Sequence, residues 1–373
     1  MRHVRDRSEG VCPVLVSRMF LRAPLGYTTN MSEELALYRK YRPKDFKDVI
    51  GQDHIVNALS GAINEGNVGH AYLFYGSRGT GKTSTARIFA RSLGATDADI
   101  HEIDAASYTG VDHIRTLREE VQVMPFASAK KVYIVDEVHM LSKAAFNAFL
   151  KTLEEPPAHV VFVLATTELE KVPETIQSRC QVFTFKKPTT KAIAEMVTRV
   201  AKAEGFTLEK SSAELIALLS AGSFRDAQSV LQKILVSSSD KKVNVEEVEM
   251  ITGAPKGELV RRVLEALAKG EANDALAAVG EAVEANADME IFTMLLLDRA
   301  RLALLLRYSA DFVIGLVADV PEADKEVIET LAKDTNSKLN SETLKKLIEA
   351  AIAIPRSPVP QLPLELAIME LCA

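Results

Sequence analysis

The 373-residue sequence contains no tryptophan and only three cysteines, Cys12, Cys180 and Cys372. These lie far apart with no CxxC spacing, which leaves no basis for a disulfide framework or a close-spaced zinc site and fits reduced thiols in a cytoplasmic protein. No apolar run approaches the roughly 20 residues that cross a bilayer, so no membrane association is expected. Positive charge is not in surplus either. The net charge is −6, so contact with nucleic acid would have to come from a local patch. Apolar residues make up 47% and charged residues 26%, ordinary for a globular chain long enough for more than one core.

The first 30 residues differ from the rest. They hold five arginines and a weakly apolar stretch from Val11 to Leu21, broken by Pro13, Ser17 and Arg18. A secretory signal needs a cleaner apolar core. Met31 then begins a polar lead-in, so residues 1–30 are expected to be a disordered extension or the product of an upstream start.

Beyond it, short apolar runs alternate with longer amphipathic ones. Tyr72–Tyr75, Lys131–Val135 and Val160–Leu164 read as buried strands, with shorter candidates at Ile100–Asp104 and Val182–Phe185. Continuous apolar strands separated by helices predict an α/β fold with a parallel sheet. The strand signal stops at Lys187-Pro188. Two helical domains are expected after it, giving the division 31–187, 188–254 and 255–373.

The sequence Gly76, Ser77, Arg78, Gly79, Thr80, Gly81, Lys82, Thr83 fits the phosphate-loop pattern without deviation, and Ser84 leads into an amphipathic run. Its glycines let backbone N–H groups wrap phosphates at a helix N-terminus. Lys82 would reach the β- and γ-phosphates of ATP, and Thr83 would ligate Mg²⁺. About 55 residues on, the strand Val132–Val135 delivers Asp136 and Glu137 to its C-terminal end, where ligands collect in parallel sheets. Asp136 would share the Mg²⁺, and Glu137 would polarise the attacking water. Thr166 and Thr167 close the next strand, where a hydroxyl can sense the γ-phosphate. Arg179 is either an arginine finger or half of an ordinary surface ion pair. Arg225 either reaches the nucleotide from the second domain or pairs locally with Asp226. In the predicted helix Ser142–Glu155, Phe146, Phe149, Leu150 and Leu153 form a buried stripe. Lys143, Asn147 and Lys151 form a second stripe that either tracks a phosphate backbone or is solvated, and Glu154 in the same stripe favours solvation.

The order of these motifs resembles a family. Leu37-Tyr-Arg-Lys-Tyr-Arg-Pro43, Asp48-Val-Ile-Gly-Gln52, the phosphate loop, Ile103-Asp-Ala-Ala-Ser107, Asp136-Glu-Val-His-Met-Leu141, Leu150-Lys-Thr-Leu-Glu-Glu-Pro156, Ala165-Thr-Thr-Glu168 and Ser178-Arg-Cys180 follow one another as in the gamma/tau subunits of the bacterial DNA polymerase III clamp loader. The resemblance implies an AAA+ phosphate-loop domain, a small helical lid and an all-helical collar that holds a hetero-pentameric ring together. It implies ATPase activity within a holoenzyme that carries DNA-directed DNA polymerase activity. Expected partners are other clamp-loader subunits, the sliding clamp, primed DNA and, indirectly, single-strand-binding protein. Arg42, Val49 and Ile50 would flank the nucleotide. Thr167, rather than Thr166, would be the first sensor, Arg225 the second, and Arg179 the finger acting on a neighbouring subunit's ATP. The chain departs from the family in two places. Typical members carry a four-cysteine zinc module after the phosphate loop, where this chain has only Ser92–Asp99, so no zinc is expected. Basic residues often follow Ala-Ala-Ser, where this chain has Tyr108-Thr109-Gly110. Two other readings are a Holliday-junction branch-migration ATPase, expected to end in a winged-helix domain, and a non-hydrolysing structural subunit, which could dispense with Lys82, Thr83 and Glu137.

Overall fold

The apolar runs assemble into one parallel sheet. Its strands are β1 (Ala71–Tyr75), β2 (Ile100–Asp104), β3 (Lys131–Asp136), β4 (Val160–Thr166) and β5 (Gln181–Thr184), in the order β2-β3-β4-β1-β5. This computed structural model describes residues 36–107, 110–238, 240–309 and 320–373. The 1–30 extension, Cys12 and the Tyr108-Thr109 pair lie outside the described residues. The α/β reading of the sequence agrees with this sheet. Every residue of β4 is buried, as expected for a strand flanked by neighbours and covered on both faces.

Strand ends differ slightly from the sequence reading. β3 continues to Asp136 and β4 to Thr166, because the parallel ladder carries on after the apolar side chains stop. The edge strand β5 begins at Gln181 and is largely exposed, so its pattern is weak. A short helix before β5 runs over Glu174–Gln177; Pro173 is its extended N-cap residue, after a 3₁₀ turn over Leu169–Lys171.

The helix α3 (Lys82–Ser92) covers one face of the sheet and α5 (Lys143–Glu154) the other. Ser142 caps α5 by accepting the Ala145 N–H at 3.2 Å. The apolar stripe of α5 enters the core through Phe146, Phe149 and Leu153, with Leu150 half-buried. Phe149 meets Phe162 of β4 edge-on at 5.2 Å between ring centres.

Past β5, α7 (Thr190–Ala203), α8 (Lys210–Leu219), α9 (Phe224–Ser237) and α10 (Val245–Thr252) share a separate apolar core. Contrary to the sequence reading, strand structure does not end at Lys187. Thr207–Leu208 and Lys242–Val243 pair in parallel, a two-residue contact too short to leave a periodic signal. Leu37, near the start of the described chain, also belongs to this core, and its N–H donates to Gln232 Oε1 at 3.0 Å. The segment leading into the sheet is therefore shared with the helices that follow it. From Gly257 onward the described residues form only helices, packed around Phe292 and Leu296.

The short connection Ser92–Asp99 does more than bridge α3 and β2. Asp99 is buried and accepts N–H groups of Phe126 and Ala127. Burial alone would raise its pKa. The N–H bonds, together with the Ser128 and Thr96 hydroxyls, outweigh burial and hold the carboxyl far below its ordinary 3.8. A depressed folded-state pKa gives stability that is present above the unfolded value and lost as pH falls through the folded one. Asp99→Asn should therefore melt several degrees below wild type at pH 7. The gap should narrow below about pH 4, as thermal unfolding followed by circular dichroism would record. A pH-independent gap would show that the charge of Asp99 is not what clamps this loop.

Candidate functional site

Parallel register aligns the functional segments at one edge of the sheet. Tyr75 of β1 pairs with Thr166 of β4, and Val135 of β3 with Leu164, so Gly76, Asp136 and Thr166 emerge side by side. Gly76 N–H donates to Thr166 O at 3.3 Å, tying the loop to the sheet.

Three glycines shape the loop. A Cβ at Gly76 would stand 2.8 Å from Phe185 O. At Gly79, φ is +74° and a Cβ would lie 1.9 Å from Ser223 Oγ at the start of α9. Gly81 has φ +101° with open space beside it, so there the backbone alone demands glycine. Thr80 is buried and closes the turn by donating to Ser77 O at 2.9 Å, whereas Ser77 and Arg78 face solvent.

Lys82 begins α3 and is buried, with Nζ donating to Gly76 O at 2.7 Å and Ser77 O at 3.0 Å. Burial lowers its pKa, and the Glu137 and Asp136 carboxylates pull it back up. Thr83 Oγ1 donates to Asp136 Oδ2 at 2.7 Å, while Asp136 Oδ1 accepts the Glu137 N–H at 3.0 Å. Glu137 sits at φ +49°, a left-handed conformation uncommon outside glycine and asparagine. That turn aims the carboxylate back along the sheet edge, where Oε2 accepts from Thr167 Oγ1 at 3.2 Å.

The two threonines are not equivalent. The Thr166 side chain is fully buried, and its hydroxyl is engaged by His139 Nδ1 at 2.9 Å and by Glu168 N–H at 3.0 Å. Only Thr167 turns toward Glu137. His139, to which the sequence analysis gave no role, stands between two carboxylates: Nδ1 lies 3.5 Å from Glu137 Oε2 and Nε2 3.3 Å from Glu168 Oε1. Its place two residues after Glu137 was the available signal.

Arg42 reaches the loop by donating from Nε to Ser84 Oγ at 2.9 Å; burial and the nearby Arg87 lower its pKa. Val49 and Ile50 are half-buried, with Ile50 packed on the α7–α10 core. Gln52, missed in the sequence, staples this segment in place: it is fully buried and exchanges two bonds with the Lys186 backbone, at 2.7 and 3.0 Å. Helix α9 touches the loop directly, Phe224 N–H donating to Gly79 O at 3.1 Å. Arg225, next in sequence, lies over the Tyr38 ring at 4.9 Å.

Arg179 stands apart from these groups. It donates from NH1 to Thr175 O and from NH2 to Glu154 Oε1, both at 2.7 Å. Glu154 ends α5, and a 12-residue helix spans about 18 Å, so this pair is remote from the loop of its own chain. Beside it, burial pushes the Cys180 thiol up to about 12, which makes it a poor nucleophile. Lys143, Asn147 and Lys151 are exposed along α5.

The Gly79 contact yields a prediction. Gly79→Ala should displace Ser223 and weaken binding of a fluorescent ATP analogue about 10-fold or more, with faster hydrogen exchange at Phe224–Ala227. Gly81→Ala carries the backbone strain of roughly 1–2 kcal/mol but no such clash. It should leave exchange at Phe224–Ala227 unchanged.

Residues 95–189 match the family model described as DNA polymerase III, delta subunit, and residues 243–373 match DNA polymerase III subunits gamma and tau domain III. The tau subunit of Bacillus subtilis is 44% identical over 274 residues, covering 68% of this chain and 48% of that protein. The gamma/tau subunit of Mycobacterium tuberculosis is 37% identical over 311 residues, covering 77% and 54%. The chain thus spans about half the length of the curated relatives it matches. A variant of Thermotoga maritima RuvB shares the fold, with a TM-score of 0.50 and 22% identity over 65% of this chain and 86% of that one. The match of residues 243–373 to the gamma and tau domain III model, and 44% identity to a tau subunit over 68% of this chain, together establish that the chain belongs to the DNA polymerase III gamma/tau family.

Proposed function

We propose that this chain is an AAA+ ATPase, the motor subunit of a clamp loader that opens a sliding clamp and loads it onto primed DNA. The observation that carries the proposal is the meeting of Lys82, the Thr83–Asp136 pair and the Glu137–Thr167 pair at one sheet edge, with α9 bonded to the same loop. The activity proposed is ATP hydrolysis in the service of a polymerase, not nucleotide polymerisation itself. Residues 31–187 would form the ATPase domain, 188–254 the lid and 255–373 the collar of a hetero-pentameric ring working in the cytoplasm.

The donor set suits a triphosphate with a divalent cation. A glycine loop exposes its N–H groups, a buried amine is faced by carboxylates, and a hydroxyl lies against an aspartate. Thr83 and Asp136 would hold Mg²⁺, which neutralises charge on the phosphate oxygens. Lys82 would exchange its bonds to Gly76 O and Ser77 O for the β- and γ-phosphates. Glu137 would accept the proton of the attacking water, held by Thr167 on one side and His139 on the other. Arg42 and the Val49–Ile50 segment would flank the nucleotide. Arg225, one residue from the Phe224–Gly79 bond, would report phosphate occupancy to the lid. Such contacts differ between nucleotide states, which is what allows ATP to bias a conformational equilibrium.

A branch-migration motor fits less well. That reading requires a winged-helix end, whereas the described residues from Gly257 onward are all in helices or their connections. A purely structural subunit would not need the bonded set Lys82, Thr83 and Glu137.

ATP turnover by the purified chain, with and without primed DNA, clamp and other loader subunits, tests the reading. Lys82→Ala should abolish ATP binding and turnover, and turnover equal to wild type would sink the motor assignment. Glu137→Gln should bind ATP normally and hydrolyse it roughly 10²–10⁴-fold more slowly. Arg179→Ala should bind ATP normally in its own site yet slow hydrolysis at the neighbouring site by roughly 10³–10⁵-fold. Collapse of its own ATP binding would instead put Arg179 in cis.

A further inference from the structure

Arg179 is held from two directions. Its bond to Thr175 O comes from the short helix that leads into Arg179 itself, whereas the bond to Glu154 comes from a different element, the last residue of α5. Helix α5 is rooted in the sheet core by Phe146, Phe149 and Leu153. Its N-cap, Ser142, follows the 3₁₀ turn Val138–Met140 that Glu137 opens. Glu154 is therefore a carboxylate on a rigid rod, fixed at its far end beside this chain's own hydrolytic groups.

We propose that Glu154 is the positioning residue of the arginine finger. It holds the Arg179 guanidinium in the orientation that serves the triphosphate bound by an adjacent subunit. The proposal rests on the reading of Arg179 as a finger in trans. A guanidinium has five N–H donors in a planar fork. The two bonds to Thr175 and Glu154 use two of them, which leaves donors for an incoming anion. With the Arg179 and Glu154 side chains 35% and 47% exposed, the pair itself adds little to folding stability. Its value lies in order. A long flexible side chain that must find its place during the reaction gives up part of the stabilisation that a preset one delivers.

The test uses the complex assembled with its cognate loader subunits and clamp on primed DNA. There kcat and KM for ATP are measured for Arg179→Ala, Glu154→Ala, Glu154→Gln and the double variant Glu154→Ala/Arg179→Ala. Glu154→Ala should lower kcat about 10-fold at unchanged KM, the scale on which ordering one long side chain counts. Glu154→Gln keeps an oxygen acceptor and should restore most of the rate. Once Arg179 is alanine, Glu154→Ala should have no further effect. An equal loss on both backgrounds, a loss confined to KM, or an unchanged or raised kcat overturns the assignment. If Arg179→Ala leaves kcat intact, the finger reading fails and this proposal with it. That outcome is distinct from one in which Arg179→Ala collapses the rate and Glu154→Ala does not.

Discussion

Parallel register at the carboxyl edge of the sheet is the constraint on which the rest of the molecule depends. Each strand of a parallel sheet must return by a crossover, so all its strands end on the same side. The pairing of Tyr75 with Thr166 and of Val135 with Leu164 brings three loops to that side within bonding distance. A slip of one residue in β3 would exchange Asp136 for its neighbour and turn the carboxylate to the other face. The Thr83–Asp136 bond therefore depends on the apolar packing of Val132, Ile134 and Val163, none of which touches a ligand. Chemistry and folding stability are coupled here through register.

Much of this arrangement was legible in the sequence because it rests on short-range rules. The glycine pattern at 76–81, the apolar run into Asp136-Glu137 and the stripe on α5 are local signatures, and each lies where the sequence placed it. What escaped were contacts over long separations. Gln52 to Lys186 spans 134 residues, and Leu37 to Gln232 spans 195. No periodicity encodes such pairings, since a single buried amide or leucine looks the same in any core. The family resemblance preferred Thr167 to Thr166, but the residues alone carry no reason for it; the packing supplies a physical difference, since Thr166 ends β4 with its hydroxyl bonded to His139, whereas Thr167 lies just past the strand and bonds Glu137.

Helix α9 and the loop meet through backbone as well as side chains. Phe224 N–H bonds to Gly79 O, and Ser223 fills the space that any side chain at position 79 would need. A backbone bond is insensitive to sequence, so the start of α9 follows the path of the loop itself. Any ligand that reshapes the loop must act on the start of α9, and Arg225 lies one residue beyond that contact. The N-terminal segment reaches the same place, with Arg42 bonded to Ser84 and Leu37 in the α7–α10 core. One apolar core thus holds both segments that meet the loop Gly76–Gly81 and the start of α3.

The helices from Gly257 onward are built on a different principle. Its core is leucine and alanine, yet Arg299 and Asp324 are almost fully buried within it, bonded at 2.7 Å, with Arg261 on the same carboxylate at 2.9 Å. Burying such charges costs several kcal/mol per ion, and the attraction returns little net stability. What the cluster does supply is direction: Asp324 takes Arg299 from Met289–Tyr308 and Arg261 from Gly257–Lys269, so a single carboxylate of Glu322–Lys333 ties three helices at one level.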